Sequence, residues 1–152
     1  MNEQIKAEEF AEYLSDDELS KLAPLLDRLS LLEDQKTNQD NYLKFVKKIW
    51  PSFIEGKHHK IYADKLQQVA DGKIKRLIVN MPPRHTKSEF ASYLFPAWLM
   101  GRRPDLKIIQ ATHTAELAVG FGRKVKNLID SDDFRDIFPE IKLATDAKAS
   151  GR

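Results

Sequence analysis

The side chains best suited to chemistry lie together in residues 82–88, which read Pro-Pro-Arg-His-Thr-Lys-Ser. Lys87 and Ser88 match the last two positions of the phosphate-binding loop G-x-x-x-x-G-K-[ST]. In such a loop, backbone N–H groups and the positive end of the following helix converge on a polyphosphate. The lysine reaches the β- and γ-phosphates, and the hydroxyl ligates Mg²⁺. This pair therefore indicates a nucleotide-phosphate site.

The match to that pattern is incomplete, because both of its glycines are replaced. Met81 stands at the first glycine position and Thr86 at the second. A β-branched residue is stiff and is penalised if φ must be positive. We therefore expect Thr86 to weaken nucleotide binding or to force a wider loop. The alternative is an ordinary strand–turn–helix connection in which Lys87 and Ser88 lie in water at a helix start.

The residues on both sides of this turn predict the elements that position it. A short apolar run with the β-branched pair Ile78 and Val79 predicts a buried strand before the turn. Four elements follow one another as strand, helix, strand and helix: residues 74–81, 89–101, 106–112 and Ala115–Ile129. This order predicts an α/β fold, a P-loop NTPase-like parallel sheet with flanking helices. Two strands leave such a sheet incomplete, since a parallel sheet is buried on both faces.

Residues 1–40 are predicted to form an acidic helical region, separate from a P-loop domain at residues 41–152. The sequence Ser15-Asp16-Asp17-Glu18 is a capping box at a helix start. Pro24 predicts a kink or a division into two short helices. Residues 34–41 contain no apolar side chain and are predicted to be a linker, with Asp40 capping the next helix. A short amphipathic helix at residues 1–14 and a leucine stripe complete the region: Ile5, Phe10 and Leu14, then Leu19, Leu22, Leu25, Leu26, Leu29 and Leu32.

The composition favours a soluble, intracellular globular protein. The chain has no cysteine, which excludes disulfides and thiolate chemistry. No apolar run approaches the roughly 20 residues that span a bilayer. Residues 1–40 carry 4 Lys/Arg against 11 Asp/Glu, and residues 41–152 carry 21 against 12. The basic part could face nucleic acid or a nucleotide, or could be solvated surface.

Several of these segments together resemble the N-terminal ATPase domain of tailed-phage terminase large subunits. The likeness covers roughly residues 41–150 and is strongest in Arg76 to Glu89, with Trp50-Pro51 and His58-His59 before it and residues 111–118 and 121–123 after it. In that family Pro-Pro-Arg-His-Gly-Lys-Ser is a deviant phosphate loop, so the family lacks the first glycine too. Thr86 in place of the second glycine departs from the family.

The resemblance implies an ATP site with Mg²⁺ as its metal ion. It implies that Lys87 neutralises the phosphates, that Arg84 contacts the γ-phosphate or senses its loss, and that Ser88 completes the Mg²⁺ shell. His59, with His58 beside it, lies where related ATPases place adenine contacts. The predicted cofactor-binding set is Pro82, Pro83, Arg84, His85, Thr86, Lys87, Ser88 and His59. For Arg84, His85, His59 and Arg123, an exposed or merely structural role is the alternative.

The same resemblance implies a motor that packages double-stranded viral DNA into a procapsid in the cytoplasm of an infected bacterium. Its partners are then the terminase small subunit and the portal protein, and the full-length protein forms a homo-oligomeric ring without any membrane. The acidic Walker B strand and the nuclease domain are missing from the sequence, so the chain by itself is expected not to hydrolyse ATP. Two alternatives are a non-catalytic product that binds packaging partners and a different P-loop ATPase such as a helicase.

Overall fold

The computed structural model describes residues 15–144, and this part of the chain is helical. The chain divides after Asp34 into two compact units, of which residues 15–34 and residues 35–144 are described. The helices, in chain order, are α1 (Asp16–Asp40), α2 (Tyr42–Ile49), α3 (Lys57–Ala70), a π-helical segment (Glu89–Leu94), α4 (Phe95–Arg102), α5 (Ala115–Ile129) and α6 (Asp132–Ile137). None of the helices in the described part is long and apolar enough to cross a bilayer.

The predicted α/β fold is wrong, because residues 15–144 contain no strand and no sheet. Both segments predicted as strands, 74–81 and 106–112, are irregular chain between helices. In the first, Leu77, Val79 and Met81 pack partly against the core, whereas Ile78 is 91% exposed. In the second, Ile109 is 94% exposed. A parallel sheet needs both faces covered, and without cover these segments gain too little burial to offset the entropy of pairing.

The described part of the first unit, residues 15–34, is the start of α1. The capping box is present in part: the Glu18 carboxylate accepts the Ser15 backbone N–H at 2.9 Å and its hydroxyl at 2.7 Å. The hydrogen bonds from Ser15 lower the pKa of Glu18 below its ordinary value. Pro24 lies inside one uninterrupted helix, so the division into two short helices is wrong. The predicted helix at residues 1–14 lies outside the described residues.

Residues 34–41 are not a linker, because α1 continues to Asp40. Glutamine side chains explain why this polar stretch stays helical. Gln35 donates to the Asp136 carbonyl at 2.6 Å, and Gln39 donates to the Ile137 carbonyl at 2.5 Å. The cap of α2 is Asn41 rather than Asp40, since the Asn41 side chain accepts the N–H three residues later at 3.0 Å.

An aromatic core holds the second unit together, with Tyr42 at its centre. The Tyr42 ring lies 5.2 Å from Trp98 and 5.9 Å from Phe90, measured between ring centroids. Its hydroxyl donates to the Phe90 carbonyl at 2.7 Å, and burial raises the pKa of this phenol well above its ordinary value. Phe45 joins the same core through Phe134, at 6.2 Å. Since these side chains are fully buried, they fix α2 against the helix that follows the 82–88 turn.

Pro96 explains why that helix begins as a π-helix. Proline has no N–H, and its ring clashes with the carbonyl four residues earlier, here that of Ser92. The wider π-helical turns relieve this crowding, and the Phe95 N–H bonds to the Phe90 carbonyl. The Gln110 side chain then donates to the Ser92 carbonyl at 3.1 Å. The irregular segment 106–112 is thereby tied to the helix after the turn.

Local residues explain where the helices near the turn begin and end. α3 ends at Ala70, and Gly72 follows with φ +73°, the left-handed stop expected of a glycine after a helix. α5 occupies the predicted residues, with the Thr114 hydroxyl accepting the Leu117 N–H at 3.3 Å as its cap. The apolar helix after the turn ends at Arg102, one residue beyond the prediction.

Candidate functional site

The backbone of the 82–88 turn alternates in the sign of φ. Arg84 and Thr86 have φ of +63° and +57°, whereas His85 and Lys87 have negative φ, and Ser88 has φ −73°. Successive residues of opposite hand turn their N–H groups to one side of the chain and form an anion-binding concavity. Thr86 thus occupies the left-handed conformation that makes glycine the usual residue at this position.

The amides of this concavity are available to a ligand. Among residues 15–144, the backbone N–H groups of residues 84–89 donate to no backbone or side-chain acceptor. Lys87 and Ser88 are already helical and lead into the π-helical segment, so the positive end of the helix dipole lies at the same place. Free donors and a helix start in one concavity favour a phosphate group over a neutral ligand.

Lys87 folds back across the turn. Its ammonium group donates at 3.2 Å to the carbonyl of Met81, the residue before the first proline of the turn. The Tyr62 hydroxyl donates to the Lys87 carbonyl at 3.3 Å. Burial raises the pKa of Tyr62 to about 12, so the phenol keeps its proton as a donor. The lysine is therefore anchored at its backbone, while within residues 15–144 its charge meets one neutral acceptor, which an anion can outcompete.

Helix α3 places two histidines beside the turn. The His59 ring is 3.8 Å from that of His58, which in turn is 5.7 Å from that of His85. His59 also reaches the hydroxyl of Thr86, 2.8 Å from its Nε2. Burial, then the neighbouring His58, lower the pKa of His59, with Glu55 opposing them and His85 adding to them. Both ring nitrogens of His59 are engaged by the protein, through the Gly56 N–H and the Thr86 hydroxyl.

The other predicted residues lie on the exposed side of the turn. Pro82, Pro83, Arg84 and Ser88 are exposed. His85 is exposed as well and bonds through Nδ1 to the Pro83 carbonyl at 2.9 Å. Within residues 15–144 the Ser88 hydroxyl has no hydrogen-bond partner. Arg84 and Ser88 are thus free to contact a bound anion and its metal ion.

Two residues near the turn escaped the sequence prediction. Tyr62 lies three positions after His59 on the same face of α3, and this helical spacing could have identified it. Lys124 pairs with Glu89 at 3.1 Å, which brings α5 to the start of the π-helical segment. Its neighbour Arg123, the residue considered from the sequence, is exposed.

The residues of the turn fit a Mg²⁺–triphosphate. A polyphosphate needs convergent N–H donors and a cation, which the amides of residues 84–89 and Lys87 provide. Mg²⁺ at a nucleotide takes few protein ligands, because phosphate oxygens and water complete its shell. One hydroxyl, that of Ser88, meets this need. In the described residues no group of three His, Asp or Glu side chains could hold a metal ion alone.

The comparisons with known proteins identify no family for this chain. No protein-family model, curated protein or solved structure compared with the chain matches it.

Proposed function

We propose that the 82–88 turn binds the triphosphate of Mg-ATP. The observation that carries the proposal is the concavity of unbonded amides at residues 84–89, built by alternating φ and followed directly by a helix. The turn itself supports the proposal without a surrounding sheet, since anion binding by such a concavity depends on local backbone conformation.

In this proposal each polar side chain of the turn has one task. Lys87 exchanges the Met81 carbonyl for the β- and γ-phosphate oxygens, because a charge-assisted bond is stronger than one to a neutral carbonyl. Arg84 contacts the γ-phosphate from the exposed side of the turn. Ser88 would contribute a ligand to Mg²⁺, and the metal ion would supply neutralisation of the phosphate charge. Pro82 and Pro83 restrict the entrance of the turn.

The likeness to terminase large subunits extends the proposal to a role. The chain is then part of an ATP-driven motor that packages double-stranded viral DNA, and its partners are a small subunit, a portal protein and further copies in a ring. Its place of action is the cytoplasm of an infected bacterium. The order of the motifs between residues 41 and 150 and the amide concavity support this role.

Calorimetric titration tests the binding step. Mg-ATP and Mg-tripolyphosphate are each expected to bind the chain with comparable affinity, because the amides and Lys87 recognise phosphate rather than the base. Adenosine, which lacks phosphate, serves as the matched control and is expected to give no heat. Saturable binding of adenosine without binding of tripolyphosphate would contradict the proposal.

A second candidate function, a binding module for another protein, is favoured by the exposed leucine face of α1. Six leucines at helical spacing are 36–58% exposed: Leu19, Leu22, Leu25, Leu26, Leu29 and Leu32. Residues 16–34 carry six acidic and two basic side chains. An apolar stripe on an acidic helix is complementary to an amphipathic helix with basic flanks. We propose such a helix as the partner.

The leucine face predicts a specific loss of binding. Replacing Leu25 and Leu29 with serine is expected to weaken the binding of a leucine-striped, lysine-flanked helical peptide by at least tenfold, because two buried side chains contribute about 1.5–3 kcal/mol each. Fluorescence anisotropy of the labelled peptide measures the change. Leu31→Ser is the matched control, since Leu31 is 56% exposed but lies on the opposite side of the helix. Equal losses in both variants, or self-association of the parent without peptide binding, would count against this partner.

A further inference from the structure

We infer that His59 is a positioning residue, which holds Thr86 in its left-handed conformation through the Thr86 hydroxyl and so fixes the amide concavity. On this view His59 and Thr86 are a matched pair, and the threonine is a working replacement for glycine. The consequence for ligand affinity rests on the proposed phosphate binding, whereas the pairing itself does not.

The hydrogen bonds around His59 have one consistent direction. The Gly56 N–H donates to His59 Nδ1 at 2.9 Å, so that nitrogen carries no proton. The proton of the neutral ring is therefore on Nε2, which donates to the Thr86 oxygen at 2.8 Å. The Thr86 hydroxyl in turn donates to the His85 carbonyl at 2.7 Å. A relay of three hydrogen bonds thus runs from the start of α3 into the turn.

The relay of hydrogen bonds holds Thr86, whose backbone conformation is strained. A β-branched residue at φ +57° is strained and persists where its surroundings over-determine it. Thr86 is held at its side chain by His59 and at its carbonyl by the Phe90 N–H, at 3.0 Å. The two residues that hold Thr86 also contact each other: the rings of His59 and Phe90 stack, with their centroids 5.4 Å apart and an angle of 22° between their planes.

His59 is itself rigid enough to position another residue. Only 6% of its surface is exposed. Besides Phe90, its ring meets that of Phe53 edge-on at 4.8 Å. A ring fixed on two sides and bonded at both nitrogens loses little further freedom when it orders the turn.

A double-mutant cycle tests the pair. His59→Asn keeps an acceptor near the position of Nδ1 for Gly56 but is too short to reach Thr86. Thr86→Val removes the hydroxyl and keeps the branched shape. In urea unfolding, each single variant is expected to lower the folding equilibrium constant at least roughly two- to tenfold, the effect of the hydrogen bond that both variants break. His59→Asn also loses the ring contacts to Phe53 and Phe90, and Thr86→Val also loses the bond to the His85 carbonyl. The double variant is expected to lose clearly less than the sum of the two single losses, because both changes break the same contact.

Conservative variants separate positioning from general packing. His59→Gln places an amide N–H near the position of Nε2 and is expected to recover at least half of the loss caused by His59→Asn. Thr86→Ser, which keeps the hydroxyl, is expected to stay within about twofold of the parent. In the same variants Mg-tripolyphosphate affinity is expected to fall and recover in parallel with stability.

Additive losses in the cycle overturn the inference, and so does a glutamine variant no better than the asparagine variant. The cycle is read from unfolding alone, so it decides the pairing whether or not a ligand binds. A coupled cycle in a chain that shows no affinity for Mg-ATP or Mg-tripolyphosphate supports the pair and contradicts the proposed function. Coupling in both stability and affinity supports both.

Discussion

Lys87→Ala is expected to weaken Mg-ATP binding by one to two orders of magnitude. In residues 15–144 the Lys87 ammonium group is held across the turn by a hydrogen bond to the Met81 carbonyl, next to the free amides. A hydrogen bond between charged groups contributes about 1.5–3 kcal/mol, which corresponds to a factor of roughly 10 to 150. The parent lysine gives up only one bond to the neutral Met81 carbonyl when it moves to the phosphates. Calorimetry on the two proteins under identical salt measures the ratio.

The change should be local, and two further variants examine this. Lys75→Ala removes an exposed lysine shortly before the turn and is expected to change affinity by less than about threefold, because exposed charges are screened. Lys87→Arg keeps the charge but not the compact ammonium group, so an intermediate affinity is expected. Equal losses for Lys75→Ala and Lys87→Ala would show general attraction between a basic surface and the nucleotide instead of a site.

The features of the fold that the sequence predicts are local ones. The Gly72 stop, the Thr114 cap and the bounds of α5 depend on a few neighbouring residues, and all three follow from the sequence. The left-handed φ at the second glycine position was also foreseeable from the motif, and Thr86 adopts it. The prediction of a linker at residues 34–41 was wrong because the helix there depends on hydrogen bonds from Gln35 and Gln39 to carbonyls about 100 residues later in the chain.

The prediction of a parallel sheet was wrong for a related reason. An apolar run such as 74–81 predicts burial, but a strand forms only when a second chain segment supplies its hydrogen bonds. The period-two pattern is present, with Leu77 and Val79 facing the core and Ile78 outward. No partner strand is present in residues 15–144, and local pattern alone could not reveal this. Likewise, the bond between His59 and Thr86 joins residues 27 apart and has no sequence signature.

Trp98→Ala is expected to reduce the free energy of unfolding by about 3–5 kcal/mol, the cost of truncating a large buried aromatic side chain. The Trp98 ring is fully buried and lies 5.2 Å from the ring of Tyr42, the centre of the aromatic core. Its indole N–H donates to the Asn38 carbonyl at 3.1 Å, and the Arg102 guanidinium lies over its face at 4.8 Å. Since whole domains are stable by only about 5–15 kcal/mol, a substantial unfolded population is expected at 37 °C. Urea denaturation followed by circular dichroism measures the change.

Two variants divide this loss into its parts. Trp98→Phe keeps most of the apolar surface and removes the donor to Asn38, so a loss of about 1–3 kcal/mol is expected. Trp50→Ala is the matched control, because Trp50 is only half-buried and its indole N–H bonds to the nearby Ser52 hydroxyl. It is expected to cost less than half as much as Trp98→Ala. If the two alanine variants were equally destabilised, the core would not be centred on Tyr42 and Trp98, and the helix that carries the 82–88 turn would be held by other contacts.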